Sequence, residues 1–223
     1  MRKPKKLPFE ELAPYSIDLP AASVNRRPED RGPPTRIDWA TLFSNAKPVE
    51  VEVGFGKGLF LVSSGEARPE ANFFGIEIVR KYQLYAATRI ALRKLPNVKT
   101  SCADAKIVLR DLIVPGSVSV VHVFFPDPWW KSRHKKRLLF TPDFAESVLQ
   151  VLKPGGRLHF VSDVQDYFEM VTGILAEVRG FRLMPPPSEN DPQHDMDYLT
   201  NFERKFRKEG RPIYRSQYEK ALS

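Results

Sequence analysis

Cysteine, long apolar runs and metal-binding clusters are scarce in this sequence. Its single cysteine, Cys102, excludes an internal disulfide and suits a reducing cytoplasm, where we expect the protein to be located. No apolar stretch approaches the roughly 20 residues of a membrane span. The basic first residues are not followed by the apolar segment of a secretory signal. No cluster of Cys and His indicates a metal site, so we expect none.

Positive charge is what the chain has in excess. Its 223 residues include 35 Lys and Arg against 27 Asp and Glu, which gives a net charge of +8. The basic residues cluster at the start of the chain, at 131–137 and at 204–211. Lys and Arg gain free energy by displacing counterions from phosphates. The clustering therefore favours a nucleic-acid partner over the alternative, a basic protein that has none.

Short apolar runs alternate with helical patterns from residue 49 onward. The runs predict strands at 49–53, 73–77, 97–101, 118–124 and 157–162. Helices fit between and after them, at about 58–66, 79–94, 104–112, 141–152 and 164–178. This alternation predicts an α/β fold with a doubly wound, mostly parallel sheet. Residues 181–183 and 213–218 predict an antiparallel pair at one edge, which makes the sheet seven-stranded.

The N-terminal region has a different composition. Residues 1–47 contain seven prolines and no sustained period, which predicts a Pro-rich basic arm, extended and partly disordered. A short helix near residues 38–44 is the most structure we expect there. The remaining residues, 48–223, are then expected to form one α/β domain. Within it, Lys153-Pro154-Gly155-Gly156 predicts the end of a helix and a turn into the next strand.

A glycine loop follows the first predicted strand, in Glu52-Val53-Gly54-Phe55-Gly56-Lys57-Gly58. Glycines at this place let the backbone approach a ligand over the strand ends. A dinucleotide site has the pattern G-x-G-x-x-G, and here the third glycine comes one residue early. The carboxylate of Glu52 would repel a diphosphate and suits a cationic ligand. The sequence therefore argues against NAD.

The acid-x-Gly-x-Gly-x-Gly pattern resembles the first motif of class I S-adenosylmethionine-dependent methyltransferases, whose cofactor carries an ammonium and a sulfonium. Two further acids follow the next strands. Glu77 ends the second strand, where a carboxylate can accept hydrogen bonds from both ribose hydroxyls. Asp104 follows the third strand and can accept one from the adenine amino group. The alternatives are a helix N-terminal acid at Glu77 and an N-cap at Asp104.

Asp127 lies between two prolines after the fourth predicted strand, and two tryptophans follow. The prolines restrain its backbone, and Asp-Pro-Trp-Trp resembles motifs of methyltransferases that act on nucleobase nitrogens. An aromatic ring can stack on a base while the carboxylate accepts from guanine N1–H and N2–H₂. Guanine N7 carries no proton, so methylation there needs alignment and not a general base. The alternative is that Asp127 caps the next turn.

The chain resembles the bacterial tRNA (guanine-N7-)-methyltransferase family over about residues 48–219. The most specific motifs are Phe124-Phe125-Pro126-Asp127-Pro128-Trp129 and Thr200-Asn201-Phe202-Glu203. The resemblance implies methyl transfer from S-adenosylmethionine to a variable-loop guanosine of tRNA, at position 46, by a monomer or homodimer. The alternatives are a class I methyltransferase with another RNA, protein or small-molecule substrate, and an RNA-binding protein without catalysis.

The predicted site residues fall into two groups. Residues for the cofactor are Glu52, Gly54, Gly56, Gly58, Glu77, Asp104 and Asp127, and the resemblance also makes Asp127 catalytic. Residues for the tRNA are Lys131, Arg133, Lys135, Lys136, Arg137, Asp163, Thr200, Asn201, Phe202 and Glu203.

Some of these positions have other readings or depart from the family. Asp163 can be a helix N-cap, and Glu203 can pair with Arg207 one helical turn on. The basic run at 131–137, taken alone, can be a solvated segment. Asn201 stands where the family often has Lys or Arg, and Trp130 where His is common.

Overall fold

A computed structural model describes residues 7–19, 35–128, 138–186, 198 and 200–222 of the chain. The strands are β1 (Val49–Val53), β2 (Asn72–Glu77), β3 (Val98–Cys102), β4 (Val118–Phe124), β5 (Leu152–Ser162), β6 (Phe181–Met184) and β7 (Tyr214–Lys220). The helices are α1 (Phe9–Leu12), α2 (Trp39–Phe43), α3 (Leu59–Ala67), α4 (Arg80–Leu92), α5 (Ala105–Ile107), α6 (Pro142–Val151), α7 (Gln165–Glu177) and α8 (Asn201–Lys208). A π-helical turn, Val108–Leu112, continues α5.

The seven strands form one sheet in the order β3-β2-β1-β4-β5-β7-β6. Neighbouring strands from β3 to β5 are parallel, and β7 runs antiparallel to both β5 and β6. The strand order reverses between β1 and β4. In open α/β sheets, ligands bind at such a reversal, beyond the carboxyl ends of the strands. The predicted fold class is confirmed, including the antiparallel edge.

Helices cover both faces of the sheet, which is why β1 and β2 are buried along their whole length. On one face Phe74, Phe144 and Phe160 belong to a core that α6 and α7 complete. On the other face Phe73, Leu61 and Phe206 belong to a second core, built from α3, α4 and α8. Phe55 of the glycine loop belongs to this second core and anchors the loop there.

Residues 7–19 of the N-terminal region pack against the free edge of β3, and their helix α1 was not predicted. Ile17 N–H donates to the carbonyl oxygen of Thr100 at 2.7 Å, and Thr100 N–H donates to that of Tyr15 at 2.8 Å. The buried amide of Gln83 donates to the Ser16 hydroxyl at 2.8 Å. Residues 15–17 are therefore held by the domain. The predicted helix near residues 38–44 is present as α2.

The start of β5 differs from the expectation of a plain turn at 153–156. Val118 pairs with Leu152 while Val120 pairs with Arg157, so four residues of β5 lie opposite one residue of β4 between the two pairs, and β5 bulges there. Gly155 has a φ of +72° there, which glycine adopts without strain. Strand pairing therefore begins at Leu152, directly after α6, and the turn residues lie inside the strand.

Within the described ranges, no helix is long and apolar enough to cross a membrane. The same residues contain no group of three or more His, Cys, Asp and Glu that could hold a metal ion.

Candidate active site

The glycine loop connects β1 to α3 and turns sharply over the sheet. Gly54, Gly56 and Gly58 have φ values of +74°, +54° and +65°, which side-chain-bearing residues rarely adopt. A Cβ added at Gly54 or Gly56 would meet no atom within 4 Å, whereas one at Gly58 would lie 2.7 Å from the Cβ of Ala86. The first two glycines therefore leave open space above the strand ends. The third allows α3 to pack against α4.

A cavity of about 340 Å³ opens beside this loop, a size typical of small-molecule sites. The described residues that line it come from three places. Glu52 and Phe124 belong to the ends of β1 and β4, residues 54–57 to the loop, and the remainder to helices. Helix α8 contributes the wall that faces the loop, with Thr200, Asn201, Phe202, Arg204 and Lys205.

Glu52 lies in this cavity almost entirely out of solvent, with 2% of its surface exposed. Its Oε2 accepts no hydrogen bond from any described residue. Burial, and then the nearby charge of Glu77, raise the pKa of Glu52 well above its ordinary value. A buried carboxylate without a partner is costly. A cationic ligand group would supply the missing partner.

Glu77 lies at the end of β2 and holds the loop. Its Oε2 accepts from Gly56 N–H at 2.9 Å, and its Oε1 accepts from Val79 N–H at 2.9 Å. Val79 is the N-cap of α4, so Glu77 also stabilises the start of that helix, as the alternative reading had it. Each carboxylate oxygen still has a second lone pair for a ligand hydroxyl.

Asp104 is the N-cap of α5, where its Oδ1 accepts from Lys106 N–H at 2.9 Å. This is the alternative reading of Asp104. The residue follows β3, so it lies at the same carboxyl edge of the sheet as Glu77, one strand further out. Four of the predicted cofactor residues do not line the cavity, namely Gly58, Glu77, Asp104 and Asp127.

Asp127 is solvent-exposed on the segment that leaves β4. The preceding Phe125 has a φ of +51°, which is a strained backbone for an aromatic residue. The strain is held because Phe125 is buried against Phe206, with ring centroids 5.4 Å apart, and donates its N–H to Val161 at 2.8 Å. Burial, and in smaller part the charge of Asp127, raise the pKa of Tyr167 to about 12.

The C-terminal acids are engaged in ion pairs. Glu203 is 3% exposed, and its Oε1 accepts from Arg215 at 2.7 Å and pairs with Arg207 at 3.2 Å. The ion pair with Arg207 is the alternative that the sequence offered for Glu203. The ion pair with Arg215 connects α8 to β7. Asp163 accepts from Arg211. It is not the N-cap of α7, which begins after Val164.

The remaining α8 residues shape the start of that helix. Thr200 is its N-cap and accepts from Glu203 N–H at 3.0 Å, while Asn201 accepts from the Arg204 guanidinium at 3.3 Å. Phe202 is 53% exposed and stacks on Phe206 at 5.9 Å. The predicted tRNA contacts Lys131, Arg133, Lys135, Lys136 and Arg137, and also Trp130, lie outside the described residues.

Sequence reasoning missed several residues of the cavity. Phe60, Tyr82 and Phe124 carry no pattern that distinguishes them from core residues. Arg204 and Lys205 were visible only as part of a basic cluster. A helical projection of 200–208 would have placed Arg204 one turn from Thr200, on the same side of the helix.

The sheet order, the glycine loop and the acids at the strand ends define a class I S-adenosylmethionine-dependent methyltransferase. The family model described as putative methyltransferase matches residues 46–216. Solved structures show the same fold. The 16S rRNA methyltransferase KamB superposes with a TM-score of 0.62 at 17% identity, over 86% of this chain and 97% of that one. The aminoglycoside resistance methyltransferase NpmB1 gives 0.57 at 18% identity, over 80% and 90%.

Sequence relatives narrow the class. The tRNA (guanine-N(7)-)-methyltransferase of Rhodopirellula baltica is 45% identical over 221 residues, which are 96% of this chain and 81% of that one. The enzyme of the same name from Hydrogenovibrio crunogenus is 35% identical over 184 residues, 82% and 77% of the two chains. This chain belongs to the tRNA (guanine-N(7)-)-methyltransferase family.

Proposed function

We propose that this protein transfers the methyl group of S-adenosylmethionine to N7 of a variable-loop guanosine, position 46, in tRNA. The observation that carries the proposal is Glu52, a buried carboxyl group beside a glycine loop whose Oε2 accepts from no described residue, in a chain of this family. A cationic amino-acid end is the ligand group that such a carboxylate requires. We also propose a cytoplasmic location and a monomeric or homodimeric state.

The residues present fit this cofactor. Glu52 would accept from its ammonium, and the open space at Gly54 and Gly56 would admit its chain. The free lone pairs of Glu77 would accept from the ribose hydroxyls, and Asp104 from the adenine amino group. When bound, the cofactor supplies an electrophilic methyl group. The chain's own residues contribute binding and orientation.

Asp127 would act on the base. As an exposed carboxylate above the strand ends, it would accept from guanine N1–H and N2–H₂ and so orient N7. It would also stabilise the positive charge that methylation leaves on the base. N7 already has a lone pair, so Asp127 removes no proton. The restrained backbone at Phe125 and the flanking prolines keep the carboxylate in place, which alignment requires.

The tRNA would be held by residues around this carboxylate. Phe202, exposed and stacked on Phe206, offers a face on which a base can stack. Thr200 and Asn201 lie beside it. Asp163 and Glu203 already accept from Arg211 and Arg215, so we propose that they position those cations for the RNA.

The basic segments would hold the RNA backbone. We assign this role to 131–137, whose five Lys and Arg follow the aromatic pair. We also assign it to the arm, residues 1–47, so that 48–223 form the catalytic domain.

The direct test is methyl transfer from labelled S-adenosylmethionine to unmodified tRNA, with the modified nucleoside identified after digestion. A second tRNA carries adenosine in place of guanosine 46. N7-methylguanosine on the first and no label on the second is the expected result. Label on both, another nucleoside, or label only on ribosomal RNA would reject the proposed substrate.

Replacing Asp127 separates orientation from RNA binding. Asp127→Ala should lower the methyl-transfer rate by a factor on the order of 1000, since alignment and charge stabilisation are both lost, while tRNA affinity stays near that of the wild type. Asp166→Ala removes an exposed acid from the first turn of α7 and serves as the matched control. The Lys135→Gln and Lys136→Gln double variant should weaken tRNA binding and flatten its salt dependence. Equal loss of rate and affinity in both variants would contradict this division of roles.

A further inference from the structure

The walls of the cavity carry opposite charges. Glu52 is the one acid among the described residues that line it, and Lys57, Arg204 and Lys205 are the cations. The acid lies near the end of β1, whereas two of the cations belong to α8. Glu52 explains how a positive ligand group is bound. The three cations favour a negatively charged ligand group beside it.

Arg204 is the most confined of these three cations. It is half-buried, and its guanidinium is oriented by Asn201, whose Oδ1 accepts from it at 3.3 Å. The side chain of Lys205 is 61% exposed and pairs with Glu209 at 3.8 Å, while Lys57 is exposed. Water screens exposed charges strongly. Arg204 is therefore the cation whose charge acts most strongly inside the cavity.

A further cation adds to the positive potential around Arg204. Arg89 donates from its guanidinium to the backbone carbonyl of Lys57 at 2.9 Å. The pKa of Arg89 is lowered, chiefly by burial and to a smaller extent by Arg93 and Arg204. Arg89 and Arg204 thus add positive charge beside the glycine loop. The N-terminal end of α8, which faces the same cavity, adds the positive end of a helix dipole.

We propose that Arg204 binds the carboxylate of the cofactor's amino-acid end while Glu52 binds its ammonium, so that the cavity recognises a zwitterion. This inference rests on the proposed function. Arginine suits the task because its planar guanidinium can donate two parallel hydrogen bonds to one carboxylate. Helix α8 then serves both ligands, since Arg204 follows directly on Thr200–Glu203, the segment assigned to tRNA.

The test compares two ligands that differ by one carboxylate. S-Adenosylhomocysteine and its decarboxylated analogue, which keeps the amine, are titrated calorimetrically into wild type and Arg204→Gln. The variant should bind S-adenosylhomocysteine about tenfold more weakly, since a hydrogen-bonded charged group is lost. It should bind the analogue as the wild type does. Arg204→Lys keeps the charge but loses the paired hydrogen bonds, and should fall between the two.

Lys208→Gln is the matched control, because it removes one positive charge from the same helix at an exposed position outside the cavity lining. It should bind both ligands as the wild type does. Thermal unfolding checks that all variants fold. Unchanged S-adenosylhomocysteine affinity in Arg204→Gln would overturn the inference, and so would an equal loss for both ligands. An unchanged affinity with a raised KM for tRNA would show that Arg204 contacts an RNA phosphate instead. Methyl transfer by the wild type in the same preparation shows whether the proposed function itself stands.

Discussion

Glu50 and Glu52 lie two residues apart on β1, so their side chains leave the same face of the sheet, and both are buried. Glu50 accepts from the Arg68 guanidinium at 2.7 and 3.0 Å, and its Oε2 lies 2.9 Å from His122 Nε2. Glu52 has an oxygen that accepts from no described residue. Two like acids on one strand thus have opposite environments.

The pKa values of the two carboxyls move in opposite directions. Burial alone would raise the pKa of Glu50, but hydrogen bonds and charge from His122 and Arg68 lower it to about 2. Burial lowers the pKa of His122, and the neighbouring Glu50 acts against that shift. For Glu52, burial and Glu77 both act upward. The fold supplies the partners of Glu50, whereas we expect a ligand to supply the partner of Glu52 Oε2.

The largest expected effect is on the affinity for S-adenosylhomocysteine, which should depend on Glu52 and not on Glu50. Glu52→Gln should weaken S-adenosylhomocysteine binding by about 100-fold, because truncating one partner of a buried charge pair costs about 2–5 kcal/mol. Glu50→Gln should leave that affinity within about twofold, since its partners are Arg68 and His122. Calorimetric titration of both variants gives the comparison. Equal loss of affinity in both would remove the distinction.

The next effect is on stability and falls on the other acid. Glu50→Gln should lower the free energy of unfolding by about 2 kcal/mol, because Arg68 and buried His122 lose a charged partner. Glu52→Gln should leave the ligand-free protein as stable as wild type or more so, since it removes a buried carboxyl whose Oε2 accepts from no described residue. Urea unfolding without ligand measures both. A Glu52→Gln protein less stable than Glu50→Gln would contradict this assignment.

The pH dependence of stability should have opposite signs at the two sites. The folded pKa of Glu50 is depressed, so its stabilisation is present above its ordinary value of 4.5 and is lost as pH falls toward about 2. The folded pKa of Glu52 is raised, so its ionisation costs stability as pH rises above 4.5. Each slope is at most about 1.4 kcal/mol per pH unit.

The free energy of unfolding is measured for wild type and both variants across this pH range. The difference between wild type and each variant gives the contribution of Glu52 or of Glu50. The advantage of Glu52→Gln over wild type should widen above pH 4.5, and the deficit of Glu50→Gln should shrink below it. Differences that do not change with pH would contradict the two assigned environments.

The strands were predictable from sequence because apolar runs such as 118–124 are local features, and β4 has those bounds. The contrast between Glu50 and Glu52 was not. Arg68 lies 18 residues from Glu50 and His122 lies 72 residues away, so only the folded sheet brings them together. The same holds for Ser16 against Gln83, which no periodicity signals. Gly54 and Gly56 were found because their spacing is itself the signal, whereas Arg204 was recognised only once α8 was placed over the cavity.

The smallest expected effect concerns Asp104, which is engaged with the protein and also proposed to contact the ligand. Asp104→Asn keeps the N-cap, because asparagine caps helices as well as aspartate does. S-Adenosylhomocysteine affinity should fall about threefold, since an acceptor for the adenine amino group is weakened. Unfolding should be unchanged. A loss of stability without a loss of affinity would show that the carboxylate serves only the helix.

Proton release on ligand binding tests the central claim most directly, namely that burial disfavours the charged form of Glu52 until a cation reaches it. Titrations of S-adenosylhomocysteine at several pH values from 4.5 upward, each in two buffers of different ionisation enthalpy, count the protons exchanged. The account predicts release of up to about one proton per bound ligand for wild type and for Glu50→Gln in part of this range, because the ammonium lowers the raised pKa of Glu52 and so favours its ionisation. Binding without proton release by the wild type would contradict the claim, because Glu52 would then be ionised before the ligand arrives.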